Sequence, residues 1–245
     1  MRKLTRFLFF ALLTISLHAQ TTSTYRTEAI DGNNGFSNTL EKFNTTRTQI
    51  SAFVTWDKDN IYIAYSGSTP NGPLTDNDRA IHVYIDIDPQ LVPTQGTGST
   101  SGDAWRWFPT LPFTANYHYV FKTVNNEEVK RKHSSGSWAD FGFVTQNYKN
   151  TATGYWELRI ARSGIENPSQ INVVAYIEED FTGGTITGGL PSNLFTDNTS
   201  QGPITFNSTF LNVHFLDKMA PNAPFHLGNN GWSLKLKAVS GSVLD

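Results

Sequence analysis

The sequence predicts an all-β fold, a single antiparallel β-sandwich of jelly-roll-like form with two long loops, and three observations predict it. Apolar residues alternate with polar ones in short runs bounded by Gly, Pro, Asn and Asp from residue 50 onward. No segment beyond the N-terminal apolar run sustains a helical period. Charged residues make up only 16% of the 245 residues while aromatics reach 13%, a balance that suits a large extracellular β domain and excludes a disordered tail.

The elements follow in order. Arg2, Lys3 and Arg6 precede the apolar run FLFFALLTISL, and Leu17-His18-Ala19 closes it, which predicts a secretory signal peptide over residues 1–19 with cleavage after Ala19. The run is too short for a stable membrane span and no later run approaches it, so no membrane span is expected. The chain has no cysteine, so neither a disulfide framework nor a lipidated N-terminal cysteine is available, and stability must come from burial. Residues 20–245 then form one domain, since β-sandwiches of about 200 to 250 residues are commonly single units.

Ile50 to Trp56 and Ile61 to Gly67 are apolar arms flanking Asp57-Lys58-Asp59-Asn60, which predicts a β-hairpin. Further strands are predicted at AIHVYIDI, YHYVFKTV, EVKRKH, FGFVTQN, YWELRIA, INVVAYIEE and SLKLKAV, with a short turn or 3₁₀ segment at RSGIENPSQ. Trp56, Trp156 and Trp232 are in phase with core positions of their strands. Pro89 to Asn116 and Thr182 to Asn212 read as the two long loops, a length that in compact domains marks function or disorder. GGTITGG, within the second, lacks the Lys and Ser/Thr of a phosphate-binding loop and reads as a flexible loop.

A net charge of -2 leaves no basic footprint for nucleic acid, and VKRKH, preceded by Glu127 and Glu128, reads as a solvated hairpin strand. There is no G-x-S-x-G elbow, no H-E-x-x-H pair and no thiol nucleophile. The six histidines show no ligand spacing, and His82 falls on the polar face of its strand, where an exposed or hydrogen-bonded imidazole is expected. In HVYIDID, alternation puts Val83, Ile85 and Ile87 on a core face and His82, Tyr84, Asp86 and Asp88 on the other. Three readings of Asp86 and Asp88 stay open. A solvated face or turn cap leads. Calcium comes next, held with Asp76 and Asp78 of TDNDR, because hard cations take several such oxygens. A catalytic pair comes last, since residues i and i+2 on a strand lie about 7 Å apart, within the range of an inverting glycosidase.

The second lead is aromatic. Trp105 and Trp107 sit with Asp103 and Arg106 in GDAWRWFP, and Trp138 lies in SGSWADFG. Indole faces beside polar groups suit sugars, whose faces are rich in C–H and whose edges carry hydroxyls. A loop indole can equally fold back as a plug for the end of the sandwich, and each of the two taken alone reads so slightly more readily. With two in three residues, at least one of Trp105 and Trp107 is expected to be exposed near that end.

Three segments in order, VTWDKDNIYIAYSG, AIHVYIDIDP, and TGYWELRIARSGI followed by INVVAYIEE, resemble the family 9 carbohydrate-binding modules and the related DOMON-like domains of secreted bacterial proteins. Asp86 and Asp88 match the acidic strand of that pattern, and Tyr155 and Glu157 match its GY-E strand. The resemblance implies a jelly-roll-like sandwich that binds glycans without catalysis, often with structural calcium. The expected protein is therefore an exported carbohydrate-binding module, secreted or at the cell surface, with the periplasm as an alternative. Its expected partner is a polysaccharide or cell-surface glycan. The rivals are a structural or adhesive envelope protein of the same fold and, last, an enzyme acting on polysaccharide.

Overall fold

A computed structural model describes residues 27–215 apart from Ala104. The predicted signal peptide, Trp232 and the strand predicted at SLKLKAV lie outside the described residues. The described chain holds β1 (Lys42–Asn44), β2 (Ile50–Trp56), β3 (Asn60–Thr69), β4 (Gly72–Pro73), β5 (Arg79–Asp86) and β6 (Ser99–Ser101). It continues with β7 (Trp107–Ala115), β8 (Tyr117–Lys122), β9 (Glu127–Ser134), β10 (Ser137–Asp140) and β11 (Thr145–Asn150). The last strands are β12 (Tyr155–Ala161), β13 (Gln170–Glu179), β14 (Ile186–Leu190), β15 (Gly202–Thr205) and β16 (Leu211–His214). None of the described residues forms a helix long and apolar enough to cross a membrane.

Two antiparallel sheets make the sandwich. One runs β1-β2-β3-β12-β11, with β4 added to β3; the other runs β10-β9-β8-β5-β13-β14, with β16 on β13. The hairpin β2–β3 turns as its residues dictate: Asp57 Oδ1 accepts the backbone N–H of Asp59 and of Asn60, both at 2.8 Å, satisfying donors the ladder leaves open. At the β9–β10 turn Ser135 and Gly136 both take positive φ, 52° and 84°, the geometry whose twist matches the flanking strands. The 3₁₀ turn predicted in RSGIENPSQ forms at Arg162–Ile165.

Between the sheets lies the main core. Ala52, Val54 and Trp56 of β2, and Trp156, Leu158 and Ile160 of β12, meet Ile81, Val83 and Ile85 of β5 and Tyr117, Tyr119 and Phe121 of β8. The phases assigned to Trp56 and Trp156 hold, since both are fully buried. On the outer side of the first sheet, Phe53, Tyr62, Ala64 and Tyr155 are covered by Phe36 and Ile30 of the preceding segment.

The outer side of the second sheet departs from expectation. Every residue of β5 is buried, so the face of His82, Tyr84 and Asp86 is not solvated. The two long stretches read as loops supply its cover. Pro89 to Asn116 contains β6 and β7, and Thr182 to Asn212 contains β14 and β15. Strand β7 pairs antiparallel with β6 and parallel with β15, which makes a third, three-stranded sheet. This small sheet and its flanks close a second core of Tyr84, Trp107, Phe113, Tyr176, Phe195 and Phe206. GGTITGG is not a free loop either, because Ile186–Leu190 is buried strand against β13. FGFVTQN is strand only from Thr145.

Alternation along β7 points Trp107 inward with Leu111 and Phe113, leaving Phe108 46% exposed. Trp107→Ala should therefore destabilise the fold by about 3 to 5 kcal/mol, the cost of an uncollapsed aromatic cavity. Phe108→Ala should cost under about 1 kcal/mol. Urea unfolding of the two variants checks the contrast.

Candidate functional site

Five neighbouring strands of the second sheet, β10-β9-β8-β5-β13, build the site on its outer face. Register places Tyr176 and Val120 on either side of His82, and Val174 and His118 on either side of Tyr84. Arg131 of β9 lies opposite His118, and Trp138 of β10 lies opposite His133. The rings form a layer: Tyr176 stacks on His82 at 4.6 Å between centroids, and Tyr84 on His118 at 3.9 Å. The two imidazoles are diagonal neighbours, with His82 Nδ1 and His118 Nε2 3.0 Å apart.

A polar chain runs through this layer. Glu178 Oε2 faces His82 Nε2 at 3.4 Å, His82 bonds His118, and His118 Nδ1 meets Asp103 Oδ2 at 3.3 Å. Arg131 Nε reaches the same carboxylate oxygen at 3.3 Å. Burial acts to raise the Asp103 carboxyl, but His118, Arg131 and Trp105 outweigh it and hold it below its usual range. An ionised Asp103 only accepts, so His118 carries its proton on Nδ1 and accepts at Nε2. His82 then donates from Nδ1 and turns a bare Nε2 toward Glu178. Burial first, and the Asp180 charge second, push the Glu178 carboxyl up to about 8. Burial, then its neighbour His118, drives His82 well below the ordinary histidine range. At neutral pH the layer thus holds a protonated Glu178 and two uncharged imidazoles. In that state the Glu178 carboxyl faces the bare His82 Nε2 across a long 3.4 Å contact, and neither atom has another partner.

Four of the five side chains predicted to bind ligand converge here. Trp105 stands edge-on to His82 at 5.2 Å and lies under the Lys122 ammonium at 5.2 Å. Trp138 stands edge-on to His118 at 5.9 Å and to Tyr84 at 5.8 Å, and donates from Nε1 to the Ser101 carbonyl. Both indoles are half-buried, so each keeps an open edge. Arg106 Nε bonds Asp180 Oδ1 at 2.7 Å, with side chains 35% and 37% exposed and hence reachable from solvent. Asp103 accepts from Trp105 and is nearly buried. Trp107, the fifth, belongs to the second core and offers no surface.

The aspartates grouped as a calcium set are not together. Asp76 and Asp78 precede β5 and Asp86 and Asp88 end it, about 23 Å apart along an extended strand. Asp86 is fully buried and spends its oxygens inside the protein: Oδ1 accepts the Asp88 N–H at 2.9 Å, and Oδ2 accepts Asn172 Nδ2 at 2.8 Å. Asn212 extends the ladder by donating to Asn172 at 2.8 Å. Burial lifts the Asp86 carboxyl to about 7. Asp88 caps the following turn through the Thr97 N–H at 3.1 Å. Asp78 takes φ of 66°, and its carbonyl accepts the Asp180 N–H at 2.7 Å. Among the described residues, no group of three or more His, Asp or Glu is placed to hold a metal ion.

His82, His118, Tyr84, Tyr176 and Glu178 were not selected from the sequence. The signal was present in YHYVF and VVAYI, where neither set of alternate residues is solvated in character, the mark of a strand buried on both faces. No family model matches the chain, and no curated protein or solved structure matches it.

Raised carboxyls favour the fold at low pH. Glu178 and Asp86 stabilise fully below their unfolded values and lose that contribution as pH rises through about 8 and about 7. The depressed imidazoles act oppositely, removing stability as pH falls below the free histidine range. The melting temperature should therefore fall from pH 6.5 to pH 9, and Glu178→Gln should remove a share worth about 1 kcal/mol or more. Thermal melts of both proteins across that interval are the check, with equal slopes as the contrary result.

Proposed function

We propose that the chain is an exported, non-catalytic glycan-recognition module whose binding face is the Trp105–Trp138 patch. The observation that carries this reading is the placing of two half-buried indoles on one face, each braced edge-on against the buried His/Tyr layer. A braced ring loses little freedom on binding, and a partly open indole offers sugar C–H groups a stacking surface. The rim supports it: Arg106 with Asp180, and Arg131 with the exposed Asp140 at 3.5 Å, present donors and acceptors beside the rings. Planar charged pairs of this kind hydrogen-bond vicinal hydroxyls without a net charge. The resemblance in the sequence adds weight from a separate direction.

Titration of the mature protein with a panel of soluble polysaccharides, followed by tryptophan fluorescence, tests the reading. Binding should weaken about tenfold or more in Trp105→Ala, the loss of roughly one stacking contact. Trp105→Ala should lower the melting temperature by much less than Trp107→Ala. An unchanged affinity in Trp105→Ala and Trp138→Ala alike would remove the patch from the binding face.

A further inference from the structure

A second feature lies away from the tryptophans. The turn between β1 and β2, Thr46 to Gln49, faces the segment Ser192 to Asp197 across a polar groove of about 540 Å³. A further depression of about 430 Å³ lies against the same Phe195–Asp197 segment. We propose that this groove is a saccharide subsite, separate from the Trp105–Trp138 patch and selective for neutral, hydroxyl-rich units.

The walls are preformed. Thr46 donates its N–H to the Gly189 carbonyl at 3.0 Å, and its Oγ1 accepts the Gly189 N–H at 2.8 Å while donating to Asp197 Oδ1 at 2.8 Å. Thr187 Oγ1 donates to Asp197 Oδ2 at 2.5 Å. Across the groove, Asn207 Nδ2 donates to the Asn193 carbonyl at 2.6 Å. A site already ordered in this way loses little entropy when occupied.

Its chemistry selects the ligand. Arg47 Nη1 lies 3.7 Å from Asp197 Oδ2, so the one cation and the one anion of the lining offset each other. A charged ligand gains nothing there. Arg47, its side chain 26% exposed, lines the groove with a guanidinium that can only donate. The exposed amides of Gln49 and Asn193 and the hydroxyl of Thr196 complete a lining that can both donate and accept, as sugar hydroxyls require. Phe195 is only 7% exposed, so recognition here runs through hydroxyl edges rather than ring stacking. Phe195 packs edge-on against Tyr176 at 6.2 Å, and Tyr176 stacks on His82. The groove and the tryptophan patch therefore rest on one aromatic layer, while their contacting residues are distinct.

Heteronuclear NMR of the mature protein with neutral oligosaccharides of the gluco, manno, galacto and xylo series tests the proposal. At least one should shift the side-chain amides of Gln49 and Asn193 and the backbone amide of Thr196. The Thr196 shift should persist in Trp105→Ala/Trp138→Ala. In Gln49→Ala/Asn193→Ala it should need about tenfold more saccharide, the loss of about two hydrogen bonds, with the melting temperature unchanged. The proposal is overturned if no oligosaccharide of the panel moves Thr196. It is equally overturned if the Gln49/Asn193 variant titrates like the parent, or if uronate oligosaccharides bind the groove in preference to neutral ones. Loss of the Thr196 response in the tryptophan variant would also overturn it, by making the groove part of the patch.

Discussion

The fold depends on a sheet that has no wet face at its centre. Strands β5 and β13 pair over eight residues, from Arg79 opposite Glu179 to Asp86 opposite Asn172, and all of β5 is buried. A strand closed to water on both sides needs an apolar layer on both sides. The first sheet supplies one. The other comes from the small sheet of β6, β7 and β15, so segments that look like loops are recruited as a third layer. Polar residues that alternation puts on the covered face must then find partners within it, since burial without one is costly.

Two networks on that face meet this demand differently. Asp86, Asn172 and Asn212 form a ladder across three strands in which the Asp86 oxygens are both occupied. It joins β5, β13 and β16 and reads as structure. The chain from Glu178 through His82 and His118 to Asp103 instead closes through a long 3.4 Å contact between Nε2 and Oε2, beside Trp105. A buried polar pair held at that length contributes less than a well-made hydrogen bond. Its place beside Trp105 ties that weakness to the face proposed to bind glycan rather than to the frame.

Much of this was legible in the residues. The hairpin around Asp57, the inward phase of Trp56 and Trp156 and the strands β5, β8, β12 and β13 follow from alternation and turn chemistry. So does the nomination of Asp103, Trp105, Arg106 and Trp138, which the topology brings to one face. The third layer was not legible, because β6, β14 and β15 are short, rich in Gly, Ser and Thr, and paired only through distant segments. Local periodicity cannot reveal a cover assembled from far along the chain. For the same reason His82 and Tyr84 looked solvated and Trp107 looked available. The aspartate grouping failed on a different point: Asp76 and Asp88 are near in sequence, but an extended strand separates them.

The parallel pairing of β7 with β15 sets Trp107 opposite Gly202 and Thr110 opposite Thr205. This ladder closes a loop of nearly a hundred residues, as the β3–β12 and β5–β13 ladders of the large sheets also do, but it pairs with neither large sheet. The small sheet thus covers the imidazoles without being a strand of either large sheet, and it could lift without breaking their ladders. A chain with that layer lifted would keep its main core and still expose the histidine layer to water.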